Sequence, residues 1–363
     1  MKQLVDSSFY VKLSAWYHLN FRDLPWRKTT NSYKIWVSEI IMQQTQVKQG
    51  LPYYLSFLSA FPTVYDLANA PEDDVLALWK GLGYYSRARN MHKTAKIVCS
   101  NYNGVFPTLY KELLQLPGIG TYSASAIASF SSNEAVGVLD GNVFRFYGRL
   151  FGVSTPINST LGKKVFQQIV DSVLDRQNPA LFNQAVMEFG ALFCTPANPN
   201  CKQCPFLSQC VAFNSNLVGD LPVKTPSLKK KNRLLNYLYI KGTQGFVAVK
   251  RDHSNIWANL FQLPLVENGR NAVTASEWFN LLNLPFSDDL LSNYSIIQSV
   301  VVKHVLSHQN LSINFQMLEV DEHLVEIILA NNPTYILLKY SELETKAFPV
   351  PIYRFLLAQI SDF

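Results

Sequence analysis

Leu116-Pro117-Gly118-Ile119-Gly120, then Tyr122 to Phe130, and then, twenty residues past Gly120, Leu139-Asp140-Gly141-Asn142-Val143: this stretch decides how the chain is read. Its first five residues predict a tight turn that opens into a helix over 122–130. Glycines at 118 and 120 free the backbone to present consecutive N–H groups, and the N-terminus of the next helix adds partial positive charge, a pairing suited to a phosphate. A Pro-Gly turn also serves simply to reverse a chain. Asp140 stands between an apolar stretch and a helix start, where an aspartate caps free N–H groups for about 1 kcal/mol.

Downstream, Cys194, Cys201, Cys204 and Cys210 are separated by six, two and five residues, so one short loop can wrap four thiolates around a small centre. A four-cysteine zinc site is the competing use of such a loop. The fifth cysteine, Cys99, falls in a helical stretch and reads as an apolar residue. Four cysteines crowded into one loop describe metal ligands in a reducing compartment rather than a disulfide framework.

Upstream, Val37-Ser38-Glu39-Ile40-Ile41-Met42-Gln43-Gln44 sets one acid inside an apolar helix. Periodicity alone allows that acid to face solvent. The order of motifs says more. Leu24-Pro25-Trp26-Arg27, the Glu39 helix, Gly81-Leu82-Gly83-Tyr84-Tyr85-Ser86-Arg87, the hairpin, the Asp140 loop and the cysteines follow one another as they do in the HhH-GPD superfamily of endonuclease III and MutY glycosylases, and most closely as in its MutY branch. The resemblance spans about Trp16 to Cys210.

The resemblance implies an adenine DNA glycosylase of HhH-GPD helical modules with a [4Fe–4S] cluster held by the loop 194–210. It assigns Glu39 to protonate adenine at N7 and later help activate water, and Asp140 to stabilise or briefly bond the sugar cation, with Tyr122 and Asn142 in support. It assigns gap filling and base stacking to Gln44 and Tyr84, the walls of the adenine pocket to Trp26, Arg27 and Leu82, and phosphate contact to Gly118 and Gly120. Bifunctional relatives carry a lysine where this chain has Tyr122, and a phenol forms no Schiff base, so strand cleavage by a lyase step is not expected.

Chemistry supports that division of labour. Adenine leaves poorly as an anion, so its release needs an acid on the base and negative charge beside the developing oxocarbenium sugar. A glutamate among Ile40, Ile41 and Met42 is expected to keep its proton through desolvation, and an aspartate beside helix-end amides to stay ionised. A base inside a duplex is out of reach, so the enzyme must extrude it.

The remaining composition bounds the rest. With 363 residues, 48% hydrophobic and 16% charged, the chain is globular and long enough for more than one domain. A formal charge of +6 favours a polyanionic partner, and the excess lies forward: 19 Lys and Arg against 14 Asp and Glu before Lys224, 13 against 12 from there on. The N-terminus, Met1-Lys2-Gln3-Leu4-Val5-Asp6, has no signal-peptide core, and no run approaches the ~20 apolar residues of a membrane span, which reads as a cytoplasmic protein acting on the bacterial nucleoid.

Helical periodicity runs from about Phe9 to Val211, in a domain read as 1–213, with 67–82 and 159–174 as clear cases and breaks at Pro25, Pro62, Pro107 and Pro117. Residues 214–232, with Gly219-Asp220-Leu221-Pro222, Thr225-Pro226-Ser227 and Lys229-Lys230-Lys231, read as a linker. Over 233–363 the texture changes: 235–240 and 246–250 flank Gly242-Thr243-Gln244-Gly245 as a β-hairpin, and helices near 274–282 and 352–360 make an α+β module. This tail resembles the Nudix-like domain with which the MutY branch reads 8-oxoguanine opposite the adenine. It lacks the clustered Arg-Glu and Glu-Glu pairs of a hydrolytic Nudix box, so it is expected to bind rather than cut.

Within the tail, His304-Val305-Leu306-Ser307-His308 resembles the family's recognition segment, usually Phe-Ser-His, with Leu306 in place of the aromatic. Ser307 and His308 are the expected contacts to the modified base and a nearby phosphate. The alternating Val301, Lys303 and Val305 also fit an ordinary strand with an exposed Ser-His. The expected enzyme is a monofunctional glycosylase working as a monomer on double-stranded DNA with adenine opposite 8-oxoguanine or guanine. The alternatives are an endonuclease III-like glycosylase and lyase, and a non-catalytic iron–sulfur DNA-binding protein.

Overall fold

The computed structural model describes residues 6–226, 230–252, 256–267, 269–270, 273–285 and 296–360. Met1 to Val5, and Ser227 and Lys229 of the expected linker, lie outside the described residues. The chain forms two compact units: Met1–Asn69 with Asn90–Pro226, and Ala70–Arg89 with Ser227–Phe363. The division after Pro226 falls inside the stretch read as a linker. The transfer of Ala70–Arg89 to the second unit does not follow from local sequence.

The first unit is helical. The Ser32–Ile41 helix starts on Asn31, whose Oδ1 accepts from the Lys34 N–H at 3.0 Å, and Ile35 to Ile41 are all buried. The Thr121–Ser132 helix is built of small residues, with Ser123 to Ser129 buried, and so comes close enough to the Ser32–Ile41 helix for Gln43 Nε2 to reach Ser123 Oγ at 3.1 Å. Asn133 ends it in the left-handed conformation at φ 55°. Before it, the Ile119 N–H donates to the Leu116 carbonyl at 3.2 Å and Thr94 Oγ1 to the Pro117 carbonyl at 2.8 Å, which close and anchor the expected turn. Gly118 sits at φ +77°, and a Cβ there would lie 2.7 Å from Asn90 Cβ, so this turn requires glycine.

The stretch 67–82 is not one helix. Val64–Asn69 and Glu72–Leu78 are separate, because Pro71 cannot donate in a continuing helix and its residue stands as the second helix's N-cap. The stretch 159–174 forms the Thr160–Val173 helix, capped by Ser159 through a 2.9 Å bond from the Gly162 N–H. Aromatic rings of Phe9, Phe146, Phe189 and Phe206 fill the core beneath the cysteine loop.

In the second unit a mixed sheet holds seven strands among the described residues: β1 Lys231–Lys241, β2 Gly245–Lys250, β3 Phe261–Gln262, β4 Leu265–Val266, β5 Ile296–Val305, β6 Gln309–Glu319 and β7 Tyr335–Lys339. The order β3-β2-β1-β6-β5 places β1 and β2 as the expected antiparallel hairpin, while β1 runs parallel to β6 from Lys231 beside Gln309 to Lys241 beside Glu319. Side chains of β1 alternate between two cores. Leu235, Tyr237 and Tyr239 face the Val350–Ile360 helix, and Leu238 and Ile240 face the Ala275–Leu281 and Glu322–Asn331 helices. Both faces are thus covered, an α+β arrangement. Residues 70–89 attach to this unit through Lys80 with Glu344 at 3.0 Å, Asp73 with Lys250 at 2.5 Å and Arg89 Nη1 with the Ala258 carbonyl at 2.7 Å. Among the described residues no helix is long and apolar enough to cross a membrane.

Candidate active site

Glu39 is buried, with 7% of its surface exposed, and the Tyr122 hydroxyl donates to its Oε2 at 2.7 Å. Desolvation pushes its carboxyl up to about 7, and the nearby Asp140 charge adds to the rise; the Tyr122 hydrogen bond and the Arg27 charge oppose it. The acid that periodicity alone could have left facing solvent therefore points inward.

Asp140 is the N-cap of the Gly141–Leu150 helix. Its Oδ1 accepts from the backbone N–H groups of Asn142 at 2.8 Å and Val143 at 2.7 Å, and its Oδ2 from Asn142 Nδ2 at 2.7 Å. Burial raises its carboxyl above the ordinary value, opposed by these three donors and by Arg145. The helix-end amides thus act as expected, but burial outweighs them in direction. Glu39, Tyr122, Asp140 and Asn142 are therefore one electrostatic group, since Glu39 and Tyr122 both feel the Asp140 charge.

Close helix packing positions this group. A Cβ on Gly190 would lie 2.6 Å from the Asn142 carbonyl oxygen, so the Pro179–Leu192 helix can lie against the Asp140–Asn142 segment only with glycine at that place. Arg145 ties the segment down: Nη2 donates to Asn142 Oδ1 at 2.8 Å and to the Gly190 carbonyl, and Nε to the Cys194 carbonyl at 2.7 Å. Tyr122 and Leu139, neighbours in space and chain of the two carboxylates, share the wall of a cavity of about 730 Å³ with Phe144, Lys163 and Arg176.

Trp26 and Arg27 occupy a short 3₁₀ turn opened by Pro25, and Trp26 packs edge-on to Tyr54 at 5.1 Å. Arg27 grips Glu188 with two parallel bonds of 2.8 and 2.7 Å, and Arg22 adds two more at 2.9 and 2.6 Å. Burial pushes the Glu188 carboxyl up, but these guanidinium bonds win and hold it at about 2. Glu188, absent from the sequence reading, carried the same signal as Glu39: a lone acid in an apolar helix.

Gln44 adopts φ 55° just past the Glu39 helix, and the side of Gly120 where a Cβ would stand is open, with no atom within 4 Å. Leu82, Tyr84, Ser307 and His308 belong to the second unit, where they line one cavity of about 590 Å³. Leu82, assigned by resemblance to the adenine pocket, thus shares this cavity with Tyr84, Ser307 and His308. Tyr84, at φ 48° and 48% exposed, meets Ser307 Oγ through its hydroxyl at 2.9 Å. Ser307 and His308 are exposed at the tip of the β5–β6 hairpin, closed by the Leu306 N–H donating to the Gln309 carbonyl at 2.8 Å. They are turn residues, not a continuation of the strand, while Leu306 packs on the sheet core.

Cys194, Cys201, Cys204 and Cys210 line one small cavity of about 30 Å³ with Phe146, Arg149, Phe189 and Phe206. Arg149 is buried beside it, donating to Cys194 Sγ at 3.5 Å and to the Thr195, Pro196 and Leu221 carbonyls at 2.7, 3.1 and 3.0 Å. Burial pushes the Cys204 thiol up to about 12 and raises Cys194 and Cys210 as well. Among the described residues no three His, Cys, Asp or Glu side chains stand close enough to form a ready-made single-ion site. Cys99 is elsewhere, half-buried, its thiol 3.8 Å from the Val64 carbonyl.

Residues 37–170 match the family model of the HhH-GPD superfamily base excision DNA repair proteins. The chain is 39% identical over 279 residues to the adenine DNA glycosylase of Buchnera aphidicola subsp. Schizaphis graminum, covering 74% of this chain and 78% of that protein. It is 36% identical over 313 residues to the same enzyme of Buchnera aphidicola subsp. Baizongia pistaciae, covering 84% of each. Its fold is similar to that of a thermostable thymine-DNA glycosylase, at a TM-score of 0.54 and 25% identity over 57% of this chain and 96% of that one. Helical hairpin, paired buried carboxyls and sequence kinship agree: the chain belongs to the adenine DNA glycosylases of the HhH-GPD base excision repair superfamily, N-glycosylases acting on DNA.

Proposed function

We propose that this glycosylase removes adenine lying opposite 8-oxoguanine or guanine in duplex DNA, with Glu39 as the general acid and Asp140 as the stabilising charge. The observation that carries the reading is the pair of buried carboxyls in unequal settings. Glu39, offered a single phenolic donor, is pushed up to about 7, whereas Asp140 has both oxygens engaged by N–H donors. The first can hold a proton near neutral pH and pass it to the departing purine. The second keeps its charge turned to the sugar as positive charge develops there.

Tyr122 and Asn142 orient these two groups, Arg27 is held by Glu188 at the edge of the site, and Trp26 offers a flat wall for the extruded base. Gln44 and Tyr84, both in left-handed conformations on exposed turns, fit the filling of the gap in the stack. Gly118 and Gly120 hold the hairpin against a phosphate, and Ser307 and His308 meet the base opposite the adenine.

Cys194, Cys201, Cys204 and Cys210 fit an iron–sulfur cluster: four thiols line one apolar cavity under a buried Arg149, whose charge suits an anionic thiolate group. Thiols raised this far by burial lose their protons to a bound metal, not to water. A bound [4Fe–4S] cluster would supply a covalent clamp on residues 194–210.

The test is excision from duplexes that place 8-oxoguanine, guanine, cytosine or thymine opposite adenine. Release of adenine from the first two, with an intact abasic strand, is the expected result; release opposite thymine at an equal rate, or strand cutting trapped by borohydride, contradicts the proposal.

A further inference from the structure

The cavity that holds Ser307 and His308 contains two groups that the reading above does not use. Gln309 lines it, and its Oε1 is buried yet bonded to nothing. A buried acceptor without a donor is rare in folded proteins, because it has lost water and gained no partner. Trp257 lines the same cavity, 6.1 Å ring to ring from His304. It sits at φ 61°, a conformation that bulky residues seldom take, braced by the Leu260 N–H on its own carbonyl at 3.1 Å and by Arg89 on the next one at 2.7 Å.

The sheet explains why the two meet. Gln309, Leu311 and Ile313 share one face of β6, and His304 stands opposite Leu311 on β5, so Gln309 and His304 lie at the open end of the core to which Trp257 and Leu306 also pack. Leu306 is committed to that core. Gln309, His304 and Trp257 add polar and aromatic surface to the cavity beside Tyr84 and Ser307.

We propose that Gln309, backed by the Trp257 ring, is a specificity-determining residue for the base opposite the adenine, its amide oxygen accepting a hydrogen bond from that base. The inference rests on the reading that this cavity meets that base. Oxidation of guanine at C8 places an N–H at N7, where guanine itself carries a lone pair. Rotation of the Gln309 side chain, which no hydrogen bond through Oε1 opposes, brings this acceptor to the cavity, where it attracts the first and repels the second, so one amide oxygen favours the oxidised base twice over. The indole supplies a flat face that orders the nucleotide beside it.

The test uses the full chain and duplexes carrying a 2′-fluoro adenosine that resists excision, opposite either 8-oxoguanine or guanine. Gln309→Leu is expected to lower the ratio of the two affinities about 3–10-fold, and Trp257→Ala to lower it also, with Trp257→Phe restoring part of it. A purely structural role would weaken both complexes together and leave the ratio unchanged; that result, or no change in either affinity, overturns the inference. Ser307→Ala separates the two levels of the argument. If it lowers the ratio and Gln309→Leu does not, only the role of Gln309 falls. If neither variant moves the ratio, or the unaltered chain has no preference, the cavity does not read that base and both readings fall.

Discussion

The Tyr122 hydroxyl donates a 2.7 Å hydrogen bond to Glu39 Oε2, and that bond runs between the two helices that form the heart of the site. It favours the ionised carboxylate, while burial favours the acid, and burial wins, to about 7. Single-turnover excision is therefore expected to fall as pH rises through about 7, where Glu39 gives up its proton. In Tyr122→Phe the opposing bond is gone, so the fall moves to higher pH. A pH–rate profile of both proteins checks the direction; a shift to lower pH contradicts the assignment.

A carboxyl raised from 4.5 to about 7 binds its proton more tightly folded than unfolded, so its contribution to stability is intact below the ordinary value and declines as pH climbs through 7. Glu39→Gln removes that loss. Thermal unfolding should show the variant more stable than the parent at pH 8, by roughly 1–3 kcal/mol, and nearly equal to it at pH 5. Catalysis would have been built at the expense of stability.

Glu188 runs the opposite way. Held at about 2 against an ordinary 4.5, it adds stability that is complete above 4.5 and disappears as pH falls from there toward 2. Arg27→Met leaves its buried charge to Arg22 alone, whose side chain is 36% exposed. The expected cost is about 2–4 kcal/mol at pH 7, shrinking in acid, read from denaturant unfolding at several pH values.

Arg145 joins the cysteine loop to the buried Asp140 carboxyl, from the Cys194 carbonyl to the Asn142 amide that holds Asp140. Arg145→Met should slow excision at least about 10-fold while iron and sulfide content stay at the parent's level. Equal rates in parent and variant would mean that Asn142 holds Asp140 without this brace.

Much of this was legible in the chain because single side chains do two jobs. Asp140 reads as a helix cap and is one, and the same N–H donors that mark a cap also steady its charge. Pro117 and Gly118 announce the turn that Gly118 must make at φ +77°. Pro71, by contrast, divided a stretch whose apolar spacing continued across it. Glu188 and Glu39 look alike in sequence, and the arrival of Arg22 and Arg27 from far along the chain holds the first at about 2 while burial pushes the second up to about 7. The parallel pairing of β1 with β6, and the meeting of Tyr84 with Ser307, link residues too distant for any local pattern.

The proton on Glu39 is the center of the account, and Glu39→Gln tests it most directly. On a duplex with adenine opposite 8-oxoguanine, the variant is expected to bind within a few-fold of the parent and to excise adenine at least about 10²-fold more slowly under single-turnover conditions. Binding retained with excision within a few-fold of the parent would contradict it.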